Sequence, residues 1–360
     1  MQTHTKTNSR INDRVAYFDR LRFLAMLGVI FIHVCALFET ELAAEGQPLG
    51  AAWHLANLLN AASRFSVPLY LMITGALLLP RDDAMSLSSI SKKRIPRVLV
   101  PLLVWSGIYI LLQTLTVEGY APLSAVGQLI SKPAEVHLWY LYTLIGVYLL
   151  LPALRLVVKH APRKILLYLL GLWFVVGSLW RAAAGLIPAM ELPDYANPDI
   201  LGGYLGYVLL GYVLATGKKT PKAAACWLVF GLCTLITTAG TWVMTSRAGE
   251  LNGVFYQYFM PNVVLQAAAM FWAFRAMERK DSAPRPWLQT AASLSFGVYL
   301  SHEVFLRLLR PLFSLLPDLL ELPLLALAVL ALSLPTVWLL QRIPYVRFLL
   351  LGERRLSARR

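Results

Sequence analysis

Residues 17–34 read YFDRLRFLAMLGVIFIHV. From Phe23 to Ile32 the run is apolar, as a helix in lipid must be, because hydrocarbon offers no partner to an open backbone group. Yet Asp19, Arg20 and Arg22 stand at its mouth, and His33 lies deep inside it. Apolar stretches of about 20 residues recur along all 360 residues, each long enough to cross the roughly 30 Å hydrocarbon core of a bilayer.

Composition agrees with that reading. Hydrophobic residues make up 58% of the chain and charged residues 14%, where soluble domains carry about a quarter charged. Mean hydropathy is +0.60. The fold class is therefore all-α, a polytopic integral membrane protein. About ten transmembrane helices are predicted, with cores near 17–38, 56–79, 97–117, 137–157, 164–186, 200–216, 223–245, 254–276, 288–310 and 323–350. Pro335 predicts a kink or tilt in the last and longest of these. The first run continues without a small-residue cleavage site and is expected to stay as a helix. With no clear repeat and no appended soluble domain, 1–360 reads as one membrane domain with short tails at about 1–14 and 352–360.

Lysine and arginine set the orientation. On one side the connections and termini carry 25 of them; the opposite loops carry five, namely Lys132, Arg181, Arg247, Arg307 and Arg310. By the positive-inside rule both termini are cytoplasmic. The first outer loop agrees, being acidic with Glu39, Glu41 and Glu45. Because the +14 net charge sits in short loops between apolar runs, it indicates topology and no nucleic-acid partner. Three cysteines give no disulfide framework. Cys226 and Cys233 lie seven apart on one helix, roughly 10 Å in rise and too far to bridge. Together with Cys35 they read as small core residues.

Five polar features interrupt the apolar runs. Arg22 and His33, eleven residues apart, share one helical face, and Asp19 can pair with Arg22. His33 then lies roughly 16 Å beyond Arg22, in the outer half. A histidine bonded to a carbonyl would explain it, but the cost of placing an ionisable group in a membrane favours a pathway or site. For Arg20 a snorkelling anchor is enough. On the second helix Asn57, Asn60 and Arg64 fall on one face. Arg64 requires an acceptor or a hydrated cavity; a structural arginine bonded to carbonyls, with Pro68 freeing one, stands equally open. Arg94 and Arg97 stand at the cytoplasmic head of helix three beside Pro96, a suitable phosphate site that positive-inside topology also explains. His137, Trp139 and Tyr140 open helix four, where an aromatic belt accounts for the two aromatics. His302 and Glu303 sit beyond the middle of helix nine, with Arg307 in i,i+4 reach of Glu303. No HExxH, CxxC or phosphate-binding glycine loop occurs, so no metal site is expected.

These residues in this order resemble the acyltransferase 3 family of integral membrane acyltransferases. Its first-helix motif, an arginine, ten residues, then a histidine, is matched by Arg22 and His33. Its paired arginines at the head of helix three are matched by Arg94 and Arg97, and its histidine followed by aromatics by His137, Trp139 and Tyr140. A Ser-Gly step late in helix two is here Thr74-Gly75, which keeps the hydroxyl. The resemblance implies transfer of an acyl group, commonly acetyl from acetyl-CoA, to a hydroxyl of an envelope glycan or lipid in a bacterial inner membrane. It implies acyl-CoA as a donor substrate rather than a resident cofactor. Arg94 and Arg97 would hold CoA phosphates and Arg22 would orient the donor. His33 would act as general base or carry the acyl group itself. Arg64, His137, Trp139, Asn57, Asn60 and His302 would form the acceptor side. The rival readings from the residues alone are a transporter or flippase for a glycan or lipid intermediate, and an assembly subunit.

Overall fold

The computed structural model describes residues 16–43, 49–81, 87–187, 190, 203–278 and 285–353. The tail expected over 1–14, residues 354–360 of the one expected over 352–360, Glu45 and most of the 187–199 connection lie outside these. The described residues are all helical or irregular, with no strand. Among the described residues, seven helices are long and apolar enough to cross a membrane: Ala16–Leu42, Ala51–Leu78, Leu87–Thr116, Val136–His160, Arg163–Leu186, Ala223–Ala248 and Asp318–Leu340. The other three predicted segments are also helical. Leu205–Thr216 has 12 residues and Pro261–Ala276 has 16, both shorter than a straight crossing. Pro286–Phe313 has 28 residues, but His302, Glu303, Arg307 and Arg310 lower its hydropathy.

Helix α1 (Ala16–Leu42) is the centre of the bundle. One side buries Leu21, Ala25 and Val29 in the larger apolar cluster, while Met26, Ile30, Val34, Cys35 and Phe38 fill a second one. A helix apolar all round belongs inside a packed bundle or in lipid. The outer helices instead expose leucines, among them Leu111, Leu115, Leu149, Leu156, Leu228 and Leu235. An apolar surface of that extent matches a bilayer, not water. The three cysteines are buried and free, as expected.

Prolines explain the interruptions. The second predicted span is two helices, α2 (Ala51–Ser63) and α3 (Ser66–Leu78), broken at Arg64 and Phe65. Pro68 lacks an N–H, and its ring displaces the carbonyl four residues earlier, which is that of Arg64. The last predicted span runs without interruption through Pro335 as α14 (Asp318–Leu340). Its break comes later, before Pro344, where Ile343 is extended and α15 (Pro344–Leu351) begins. Helix α15 folds back on α5 (Ile95–Thr116): the Trp105 indole N–H donates to the Leu350 carbonyl at 2.9 Å.

Close backbone approach fixes the interior. Where α3 crosses α10 (Leu205–Thr216), Gly75 faces the Val208 carbonyl and Gly211 faces the Met72 carbonyl. A Cβ at either glycine would overlap that carbonyl. The hydroxyl-glycine step therefore has a packing reason: Gly75 lets the two backbones touch.

Candidate functional site

Three histidines from distant parts of the chain meet in the bundle. His33 comes from α1, His137 from the 3-10 turn Val136–Leu138 ahead of α7 (Trp139–His160), and His302 from α13 (Pro286–Phe313). Ring centroids of His33 and His302 lie 4.9 Å apart, those of His137 and His302 4.9 Å, and those of His33 and His137 5.9 Å. His137 and His302 are buried and His33 is half-buried. Nδ1 of His302 lies 2.7 Å from the Tyr299 carbonyl. A carbonyl only accepts, so Nδ1 carries the proton and Nε2 keeps its lone pair. That Nε2 is buried with no hydrogen-bond partner. The Tyr299 hydroxyl donates to the His137 carbonyl, and the Tyr109 hydroxyl donates to that of Leu300 at 2.8 Å, so both tyrosines fasten the cluster.

Beneath the histidines is a cavity of about 240 Å³ lined by Arg22, Tyr70, Thr74, Arg94, Tyr140, Tyr148, Ser295 and Tyr299, among others. Its lining explains the polarity of one face of α13, where Ser295, Tyr299 and His302 follow at i, i+4 and i+7. Tyr299 closes the cavity toward the cluster, its ring 5.6 Å from that of His137 and 6.1 Å from that of His302. The volume falls below the 300–1,000 Å³ usual for drug-sized ligands. It suits a slender arm rather than a whole nucleotide.

The arginines divide. Arg22 pairs with Asp19 at 3.2 Å, as the spacing predicts, and lines the cavity. Arg94, at the end of a π-helical turn (Ile90–Arg94), lines it too. Arg97 does not: its Nε donates to the Gly352 carbonyl at 3.4 Å, tying α5 to the end of α15. Arg20, read as a simple anchor, forms an ion pair with Glu278 beyond α12 (Pro261–Ala276). The expected Glu303–Arg307 pair forms at 3.7 Å, and Arg307 makes a closer one with Glu135.

The polar face of α2 exists, but its partners are protein groups. Glu39, expected in an acidic loop, is instead a buried residue of α1. Its carboxylate accepts from the Asn60 amide and the Tyr256 hydroxyl. Asn57 Oδ1 lies 2.6 Å from the same hydroxyl, and Asn57 Nδ2 donates to the Thr238 carbonyl at 2.9 Å. Arg64 stacks over the Tyr256 ring, 4.1 Å from its centroid. Asn57 and Asn60 thus hold Tyr256, and through it Arg64. Trp139 stacks on Tyr204 and Tyr258, with centroids 5.4 and 5.7 Å away.

Sequence reasoning missed Tyr299, Ser295 and Tyr70 in the cavity wall, and the pairing of Glu39 with Tyr256. The i, i+4, i+7 stripe ending at His302 was a signal for the first two. Nothing local pointed to Tyr256, which reaches Glu39 from the 3-10 turn Val254–Tyr256, more than two hundred residues away. Among the described residues, donor atoms of His33, His302 and Glu303 also lie within 4.8 Å of one another, a spacing that could admit a cation.

Neither the curated proteins nor the solved structures gave a match to this chain. A family model does: the acyltransferase domain matches residues 15–342, from the start of α1 to the end of α14, and so includes all three histidines and both cavity arginines. The chain belongs to the acyltransferase 3 family of membrane acyltransferases.

Proposed function

We propose that the protein is an O-acyltransferase that moves acetyl from acetyl-CoA to a hydroxyl of a cell-envelope saccharide or glycolipid. It would cross a bacterial inner membrane ten times with both termini cytoplasmic. Residues 56–75 and 132–144 look most like the enterobacterial common antigen O-acetyltransferase, which fits a glycan acceptor. The observation that carries the reading is the meeting of His33, His137 and His302 above a narrow cavity with Arg22 and Arg94 in its wall. The rival reading as a transporter has no support in the family match.

In this reading CoA phosphates meet Arg94 at the cytoplasmic mouth through charge-assisted bonds. The pantetheine arm occupies the cavity, beside Arg22, Tyr70 and Thr74. The thioester reaches the tyrosine layer below the histidines. His33 accepts the proton of the acceptor hydroxyl as its oxygen attacks the thioester carbon. The C–S bond breaks, CoA leaves as the thiolate, and the imidazolium returns its proton to it. His302, with Nδ1 held by Tyr299, keeps an acceptor lone pair facing the cluster.

The test of the donor side separates the two arginines. Arg94→Ala is expected to weaken acetyl-CoA binding by about tenfold or more, the usual worth of a hydrogen bond to a charged group. Arg97→Ala is expected to leave that affinity near wild type while loosening the C-terminal helix, read as a lower midpoint of thermal unfolding. Equal losses of affinity would return both to the phosphate site.

The histidine cluster also predicts inhibition by soft divalent ions. His33 cannot give one lone pair to both a proton and a metal, so Zn²⁺ bound between His33 and His302 would silence the base. Turnover is expected to fall with added Zn²⁺ and to recover with EDTA. Activity that rises with Zn²⁺ would reverse the role given to His33.

A further inference from the structure

Buried ring nitrogens without partners gather at the histidine cluster. His302 is fully buried; the Tyr299 carbonyl holds its Nδ1–H at 2.7 Å, and its Nε2 has no hydrogen-bond partner. Both ring nitrogens of His137, 1% exposed, are also without one, and the two rings lie 4.9 Å apart. Unpaired buried polar atoms are costly, so three in one cluster call for a shared partner. Glu303 decides its chemistry. Ligating atoms of His33, His302 and Glu303 all lie within 4.8 Å of one another. Two imidazoles and a carboxylate suit a borderline transition-metal ion such as Zn²⁺; Mg²⁺ and Ca²⁺ take oxygen ligands.

The surroundings orient these ligands as the second layer of a metal site does. Tyr299 fixes the His302 tautomer so that Nε2 is the nitrogen offered. Arg307 steadies Glu303 at 3.7 Å, yet its closer partner is Glu135. Tetrahedral Zn²⁺, with bonds of about 2.0–2.1 Å, sets its ligand atoms about 3.4 Å apart. Closing from 4.8 Å needs only a side-chain rotation of half-buried His33 or of Glu303. The ligands come from two helices, so no short spacing motif marks them in the sequence.

We infer that His33, His302 and Glu303 form a binding site for one Zn²⁺-like ion, with His137 beside it, and that the ion and the acceptor hydroxyl exclude each other at His33. None of the three ligands lines the donor cavity, so the ion is a brake on transfer that leaves donor binding intact. Only this consequence for turnover rests on the acyltransferase reading; metal binding does not.

The experiment uses the full, untagged chain in detergent micelles, stripped with EDTA and then dialysed to equilibrium against Zn²⁺ or Mg²⁺. One Zn²⁺ per chain is expected, held at least about a hundredfold more tightly than Mg²⁺. His302→Gln and Glu303→Gln are each expected to weaken Zn²⁺ about tenfold or more. In the wild type, Zn²⁺ is expected to protect His33 from diethyl pyrocarbonate, mapped by peptide mass spectrometry, while exposed His160 stays reactive. Acetyl-CoA affinity should be the same with and without the ion. No bound Zn²⁺, unchanged Zn²⁺ affinity in either variant, or unprotected His33 overturns the inference, and the first and last need no variant to fold. Loss of acetyl-CoA binding on adding Zn²⁺ overturns the separation of brake and donor site. Zn²⁺ binding by a protein that transfers no acyl group under any condition would leave the site standing and refute the enzyme reading. Acyl transfer by a protein that binds no Zn²⁺ would do the reverse.

Discussion

His33→Ala is expected to lower CoA release from acetyl-CoA, measured with acceptor present, by about 10²- to 10⁴-fold, the range of a lost general base. The expectation depends on place as well as residue type. His33 stands eleven residues above Arg22 on one helix, so the group at the donor cavity and the group at the cluster are fixed by one rigid rod. The variant should still bind acetyl-CoA, because no part of the cavity wall is removed. A folded His33→Ala protein with near wild-type turnover would end the catalytic assignment. His302→Ala separates two roles in the same assay. If His302 only positions its neighbour, its loss should cost less than that of His33. His302→Gln should then recover part of the rate, since its side chain carries both a donor and an acceptor. A rate unchanged in His302→Ala would remove it from the site despite the 4.9 Å ring separation.

How much of this was legible in advance follows from what periodicity can carry. Hydrophobic runs located the seven described helices that are long and apolar enough to cross a membrane, because lipid demands a similar apolar length from each. Spacing placed Asp19 against Arg22 and Glu303 near Arg307, because neighbours on one helix need no knowledge of the fold. Facing between helices was beyond it. His33, His137 and His302 could each be flagged as costly, yet their convergence depends on how α1, α7 and α13 pack. Arg94 and Arg97 looked alike in sequence and part ways in space, because the returning C-terminus presents the Gly352 carbonyl to only one of them. Proline reading was half informative. Pro68 breaks its helix, whereas Pro335 is accommodated within α14, and the break falls at Pro344, which the sequence reading does not single out. Glu39 was assigned to the first outer loop because the apolar run was ended at residue 38, while Asn60 and Tyr256 satisfy its charge inside the bundle.

Gly75→Ala is expected to be the most damaging single-methyl change away from the histidines. An added Cβ at Gly75 would overlap the carbonyl of Val208, and one at Gly211 would overlap the carbonyl of Met72. Overpacking in a core costs about 1–3 kcal/mol when side chains can yield. Here the obstacle is helix backbone already committed to its own hydrogen bonds, so α3 and α10 must separate. Separation would also move Thr74, which lies beside Gly75 and lines the donor cavity. The expected result is little or no monodisperse protein in detergent from Gly75→Ala, and the same from Gly211→Ala. Thr74→Ser keeps the hydroxyl and adds no bulk, so it should fold normally and retain acetyl-CoA binding. The two glycine variants should not rescue each other, since each clashes with a carbonyl rather than with the other's missing side chain. Normal thermal stability in Gly75→Ala would mean that the α3–α10 crossing is looser than its backbone geometry requires, and that the hydroxyl-glycine step serves the cavity instead of the packing.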